Sequence, residues 1–94
     1  MARARKLDIQ IEDEVLKNLL YTFALNMEMV RKYRGMTQQE LAFKSKLSIS
    51  TVAAIEQKCL QNLNFSTLTA ISKALKVTPI NLLSKKISLK SLKN

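Results

Sequence analysis

One local device occurs four times in this chain and leaves little choice of secondary structure. An apolar residue precedes a side chain with a capping oxygen, and another apolar residue follows four positions after that cap. The copies are Met36-Thr37…Leu41, Leu47-Ser48…Val52, Leu63-Asn64…Leu68 and Val77-Thr78…Leu82. The first amides of a helix have no carbonyl partner within it. The Thr, Ser or Asn oxygen accepts from one of them, while the apolar pair closes as a staple across the first turn. Glu40 completes a capping box with Thr37, and Pro79 suits the first position of the helix that Thr78 opens. Helices are therefore expected near 38–45, 49–57, 65–76 and 79–87.

A fifth helix precedes these. Leu16, Leu20, Phe23, Met27 and Val30 recur at spacings of four and three, which makes one apolar stripe. The stripe stops before Gly35, the only glycine and a natural C-terminal stop. Asp13 suits its cap, and the acids at 12–14 suit its N-terminal dipole. Val15, Leu19, Leu25 and Met29 fall off the stripe, so the C-terminal segment or a second subunit must cover them. A dimer contact built from Val15, Leu19, Ile80, Leu83 and Ile87 is the preferred expectation. Leu7–Ile11 alternates like a short strand, although a lone strand needs a partner.

Composition supports an all-α fold. Ninety-four residues with 47% hydrophobic content fill one core, and one Gly with one Pro leaves little for hairpins. The expected organisation is a basic arm over 1–11 with a candidate strand, one helical domain over 12–87 and a basic tail over 88–94. Lys and Arg number 16 against 7 acids, for a net charge of +9. The excess lies in the second half, where Glu40 and Glu56 are the only acids after Met36. Such a field favours a polyanion, either nucleic acid or an anionic membrane surface. The tail lacks a clean amphipathic period or an aromatic anchor, which argues against the membrane. With no His and only Cys59, neither a disulfide nor a zinc site is expected, and no cofactor. The chain has no nucleophile–base pair and no phosphate-cradling glycine loop, so an enzyme is not expected. No apolar run spans a membrane, and a cytoplasmic setting fits.

Residues 37–57 read as two short helices joined by a tight turn. Leu41, Leu47, Val52 and Ile55 form the wedge between them, with Ala42 small where the backbones cross closest. Setting Val52, Ile55 and Ser48 on the inner side of the second helix leaves Ser50, Ala53, Ala54 and Gln57 facing away, with Ile49 at the leading edge. That is the layout of a helix-turn-helix, which presents its second helix to the DNA major groove.

These residues carry a resemblance. Over 23–83 the sequence resembles the Cro/lambda-repressor-like helix-turn-helix family, also called Xre. The match runs from Arg31…Arg34-Gly35-Met36-Thr37-Gln38-Gln39-Glu40-Leu41-Ala42 through Leu47-Ser48…Val52…Ile55-Glu56 to Ala74-Leu75-Lys76-Val77-Thr78. It implies a five-helix lambda-repressor-like domain, here with an extended first helix and a basic tail. It also implies a homodimer on a two-fold operator in double-stranded DNA, acting as a repressor or autoregulator. Within the family the wording is similar to restriction–modification controller proteins and to phage-type repressors.

By position, the resemblance gives Gln38 a phosphate contact, helped by the amides at its helix N-terminus. It brings Ser48, Ile49, Ser50, Thr51, Ala53, Ala54 and Gln57 to or beside the base edges. Lys58, Gln61, Asn62 and Asn64 would follow the sugar–phosphate backbone. Arg31 and Glu56 match an ion pair that joins the first and third helices. Three positions depart from the family: Lys46 and Lys58 stand where glycine is usual, and Leu63 where proline is common. A left-handed Lys46 would cost about 1–2 kcal/mol, so a different turn is expected there. The reading face carries no Arg, Asn or Lys, only Ser50, Thr51 and Gln57 as hydrogen-bonding side chains. Ile49, Ala53 and Ala54 would pack on thymine methyls, with affinity from phosphates and specificity partly from DNA shape. The same face also suits a protein partner, as in an antitoxin or anti-regulator. Arg3, Arg5 and Lys6 are equally readable as a minor-groove arm or as a solubilising start.

Overall fold

The computed structural model describes residues 13–59 and 62–84. Their elements are α1 (Glu14–Tyr33), α2 (Gln38–Ser45), α3 (Ile49–Glu56), α4 (Phe65–Leu75) and α5 (Pro79–Leu83). Among the described residues there is no strand. The expected strand over 7–11, the basic arm and the tail lie outside them, as do Gln61 and Ile87.

Each helix begins on the side chain that its sequence offers. Asp13 accepts from the amides of Val15 and Leu16, Thr37 from Glu40, Ser48 from Thr51, Asn64 from Thr67 and Thr78 from Asn81. The capping box closes as Glu40 Oε1 accepts from the Thr37 amide at 2.8 Å. Each such cap contributes about 1 kcal/mol.

The ends of α1 to α4 also follow one pattern. Gly35, Lys46, Lys58 and Lys76 all adopt positive φ, between 59 and 72°. In each case the next amide reaches back across six residues: Met36 to the Arg31 carbonyl, Leu47 to Ala42, Cys59 to Ala54 and Val77 to Ser72, all at 2.9–3.0 Å. This is the Schellman ending. At three of the four junctions the left-handed residue, a half-buried apolar residue and the next cap follow one another, as Gly35-Met36-Thr37, Lys46-Leu47-Ser48 and Lys76-Val77-Thr78. Met36, Leu47 and Val77 pack on the core, so each serves the end of one helix and the start of the next.

The turn after α2 therefore does not depart from the left-handed form. Lys46 takes φ 61° and ψ 34°. The six-residue bond and the packing of Leu47 outweigh the steric cost of a Cβ there, and a cation at a helix C-terminus recovers part of it. Lys46→Gly is expected to raise stability by about 0.5–1 kcal/mol, the relief of strain exceeding the entropy that glycine adds to the unfolded chain. A urea midpoint unchanged or lowered would show that the strain is not there.

Phe23, Met27, Val30, Leu41, Val52, Ile71, Leu75 and Leu82 are fully buried and form the core with Ala24, Ala42, Ile55 and Leu68. Helix α2 packs on α3 and α4, while α1 packs on α3 and α5. Met29, off the stripe, also packs on this core rather than adding to an exposed surplus. Helix α5 stops at Leu83 instead of reaching 87, because Ser84 is extended at φ −75° and ψ 144°. Asn26, buried on α1, explains the stop: its Nδ2 donates to the carbonyls of Leu82 at 2.9 Å and of Ser84 at 2.8 Å. At the C-terminal end of α1, Arg34 donates from Nε to Leu75 O and from Nη2 to Lys76 O, closing the C-terminus of α4.

Candidate nucleic-acid interface

Helix α3 turns about 100° per residue, so Val52, Ile55 and Glu56 share one side. Val52 is fully buried, and Ile55 and Glu56 nearly so. The opposite side carries Ser50, Ala54 and Gln57. Ser50 and Gln57 are exposed, Ala53, Ala54 and Thr51 half-buried, and Ile49 is exposed at the leading edge. Ser48 does not turn inward with Val52. It stays exposed, capping the helix and sharing a 2.9 Å hydrogen bond with the Thr51 hydroxyl. The outward face thus combines small, apolar and hydroxyl groups, with no long charged side chain standing in the way of a groove.

Beside the apolar contacts of Val52 and Ile55, a buried polar brace holds α3 in place. Glu56 receives Arg31 through two bonds, Nε to Oε2 at 2.7 Å and Nη2 to Oε1 at 2.9 Å. The remaining Arg31 nitrogen, Nη1, donates to the Met36 carbonyl at 2.7 Å. A planar guanidinium can do all three at once, which an ammonium cannot. The hydrogen bond to Glu56 raises the Arg31 pKa above its usual value, while burial opposes the shift. A raised cation stabilises the fold at every pH below the usual arginine range, and that contribution fades only as pH climbs through the raised value.

The backbone-contact residues are more scattered. Gln38 opens α2, and its Nε2 donates to Glu56 Oε1 at 2.9 Å. Lys58 follows α3 with its ammonium 5.3 Å from the Tyr21 ring centroid, tying that loop to α1. Glu28 on α1 is held below its usual carboxylate range chiefly by a hydrogen bond from Lys32, with burial opposing and the fields of Lys32, Arg31 and Lys58 assisting. Asn62 and Asn64 are exposed, and Asn64 Oδ1 is engaged in capping α4. Neither the Gln38–Glu56 bond nor the contact of Lys58 with Tyr21 is visible in the sequence, since neither has a fixed spacing. Asn26 did leave a signal, as an amide three residues from Phe23 on an apolar stripe.

Two short helices, an apolar wedge and an outward second helix give a helix-turn-helix by geometry. The helix-turn-helix family model HTH_3 matches residues 27–82, more than half of the chain. The chain belongs to the helix-turn-helix family. Among solved structures, this helix-turn-helix protein is similar to the restriction-modification controller protein C.AhdI from Aeromonas hydrophila, at 28% identity and TM-score 0.63, covering 67% of this chain and 94% of that one. It is also similar to the restriction-modification controller protein C.Esp1396I, at 33% identity and TM-score 0.62, covering 68% and 81%. A point mutant of C.Esp1396I aligns at 30% identity and TM-score 0.63, over 79% and 87%. No curated protein matches the chain significantly. This helix-turn-helix protein is a DNA-binding transcriptional regulator with an all-α fold. Among the described residues no helix is long and apolar enough to cross a membrane.

Proposed function

We propose that this regulator works as a controller-type repressor or autoregulator, in the cytoplasm, with two copies on a two-fold operator. Each copy places α3 in a major groove, with Ile49, Ser50, Thr51, Ala53, Ala54 and Gln57 at the base edges. Gln38, Lys58, Asn62 and Asn64 follow the phosphates. The observation that carries this reading is the setting of α3, which has one side in the core and the opposite side open. The segment from α2 to α5 carries five lysines (44, 46, 58, 73 and 76) against two acids, Glu40 and Glu56, and Glu56 is already paired with Arg31. The local field therefore favours a polyanion.

A second copy accounts for apolar surface that the fold leaves exposed. Val15, Leu19, Phe65 and Ile80 are exposed, and Leu19 and Phe65 line a cleft of about 120 Å³ with Leu16, Leu20, Leu63, Leu68 and Leu83. Leu83 is half-buried against its own core, so its share of a dimer contact is smaller than its sequence position suggests. Such a surface is more than isolated exposed side chains require.

A gel shift against fragments of the gene's own promoter, repeated across a salt series, tests the proposal. Two protomers per site are expected, with affinity falling by roughly 0.9 log units, for each log unit of salt, per phosphate that a lysine or arginine neutralises. A flat salt response with no preferred fragment would overturn it.

A further inference from the structure

We propose that Glu56 positions Gln38 for DNA, in addition to bracing α3 against α1. The inference rests on the reading above that Gln38 meets a phosphate. Three helices converge at this carboxylate: Arg31 from α1, Gln38 from α2 and Glu56 itself from α3. Oxygen Oε2 accepts from Arg31 Nε, while Oε1 accepts from both Arg31 Nη2 and Gln38 Nε2.

An ionised carboxylate accepts hydrogen bonds and donates none. Only the NH2 end of the Gln38 carboxamide can therefore face Glu56. A flipped amide would set its oxygen against a negatively charged one at the same short distance. One N–H is thus spent on Glu56, and the second N–H of the same nitrogen is fixed in direction. Gln38 stands at the first turn of α2, where backbone amides and the positive end of the helix dipole already favour an anion. A long flexible side chain is then ordered before DNA arrives, and the usual loss of its rotamer freedom on binding is reduced. Glu56 can sit this close to a polyanion because the Arg31 guanidinium neutralises it through two bonds.

The two roles separate in a double-mutant cycle read on DNA affinity. A phosphate contact is independent of sequence, so a short mixed-sequence duplex is a sufficient probe. Gln38→Ala is expected to weaken binding about tenfold and to leave the salt slope unchanged, because a neutral carboxamide displaces no counterion. In the Glu56→Gln background the further loss from Gln38→Ala should shrink to under about threefold, because the side chain is no longer held. Equal losses in both backgrounds would overturn the positioning role while leaving the phosphate contact standing. No effect of Gln38→Ala in either would overturn the phosphate contact, and the inference with it.

Since Glu56→Gln also weakens a buried pair, a second measurement uses the unaltered protein. In its nitrogen–proton spectrum one side-chain N–H of Gln38 should exchange more slowly than those of the exposed Gln39 and Gln57. The other should shift when the duplex is added. Gln38 protons that exchange and shift like those of Gln39 would overturn the proposal.

Discussion

Arg31→Ala is expected to destabilise the domain by roughly 3–5 kcal/mol, because it leaves the Glu56 carboxylate buried without its partner. The pair is enclosed, with side-chain exposures of 9% and 4%. Water therefore cannot replace the guanidinium as it would at a surface pair, which contributes about 0–1 kcal/mol. The same substitution removes the bond that holds the Met36 carbonyl, so the turn into α2 loosens as well. For a domain whose total stability is about 5–15 kcal/mol, the folded population at 37 °C is at risk. At about 4–8 °C per kcal/mol, a thermal melt should move down by on the order of 15–30 °C. Removing both partners, Arg31→Ala with Glu56→Ala, should cost less than Arg31→Ala alone, since no unpaired charge is then buried. A melt shifted by only a few degrees would mean that solvent reaches Glu56 after all.

The sequence made most of this fold legible because its signals are local. Capping oxygens, staples and a stop glycine act over one turn, and all five helix starts fall where Asp13, Thr37, Ser48, Asn64 and Thr78 stand. The length of α5 was not legible in the same way. Ile80, Leu83 and Ile87 keep helical spacing, but Asn26, more than fifty residues earlier in the chain, takes the Leu82 and Ser84 carbonyls. Long-range competition of that kind leaves no trace in a local period. The left-handed turn at Lys46 is hidden for a related reason. Residue type alone priced the left-handed conformation, whereas packing of Leu47 and the six-residue bond decided it. A tripeptide of left-handed residue, apolar residue and cap recurs three times, and it would have given the answer. In the site, the exposed face of α3 was readable from helical spacing. The contact of Gln38 with the ion pair required knowing how α2 lies across α3, which spacing within one helix does not encode.

Ser50→Glu is expected to abolish DNA binding, by more than about a hundredfold, without harming the fold. Ser50 is exposed on the side of α3 opposite Val52, and its side chain makes no bond that the core depends on. It also stands in the first turn of the helix, where a negative charge is favourable by about 0.3–1 kcal/mol. The melt should therefore stay in place or rise slightly. In the complex, the same carboxylate would be thrust between two ridges of phosphate with no arginine or lysine on the reading face to meet it. Desolvating an unpaired charge there exceeds the roughly 2.7 kcal/mol that a hundredfold loss represents. Fluorescence anisotropy on a promoter fragment, with circular dichroism on the same samples, reads both quantities. A variant that melts like the parent yet binds DNA equally well would place the nucleic acid on a different face of the molecule. Lys58 and the exposed amides at 62 and 64 would then have to be explained without a groove beside them.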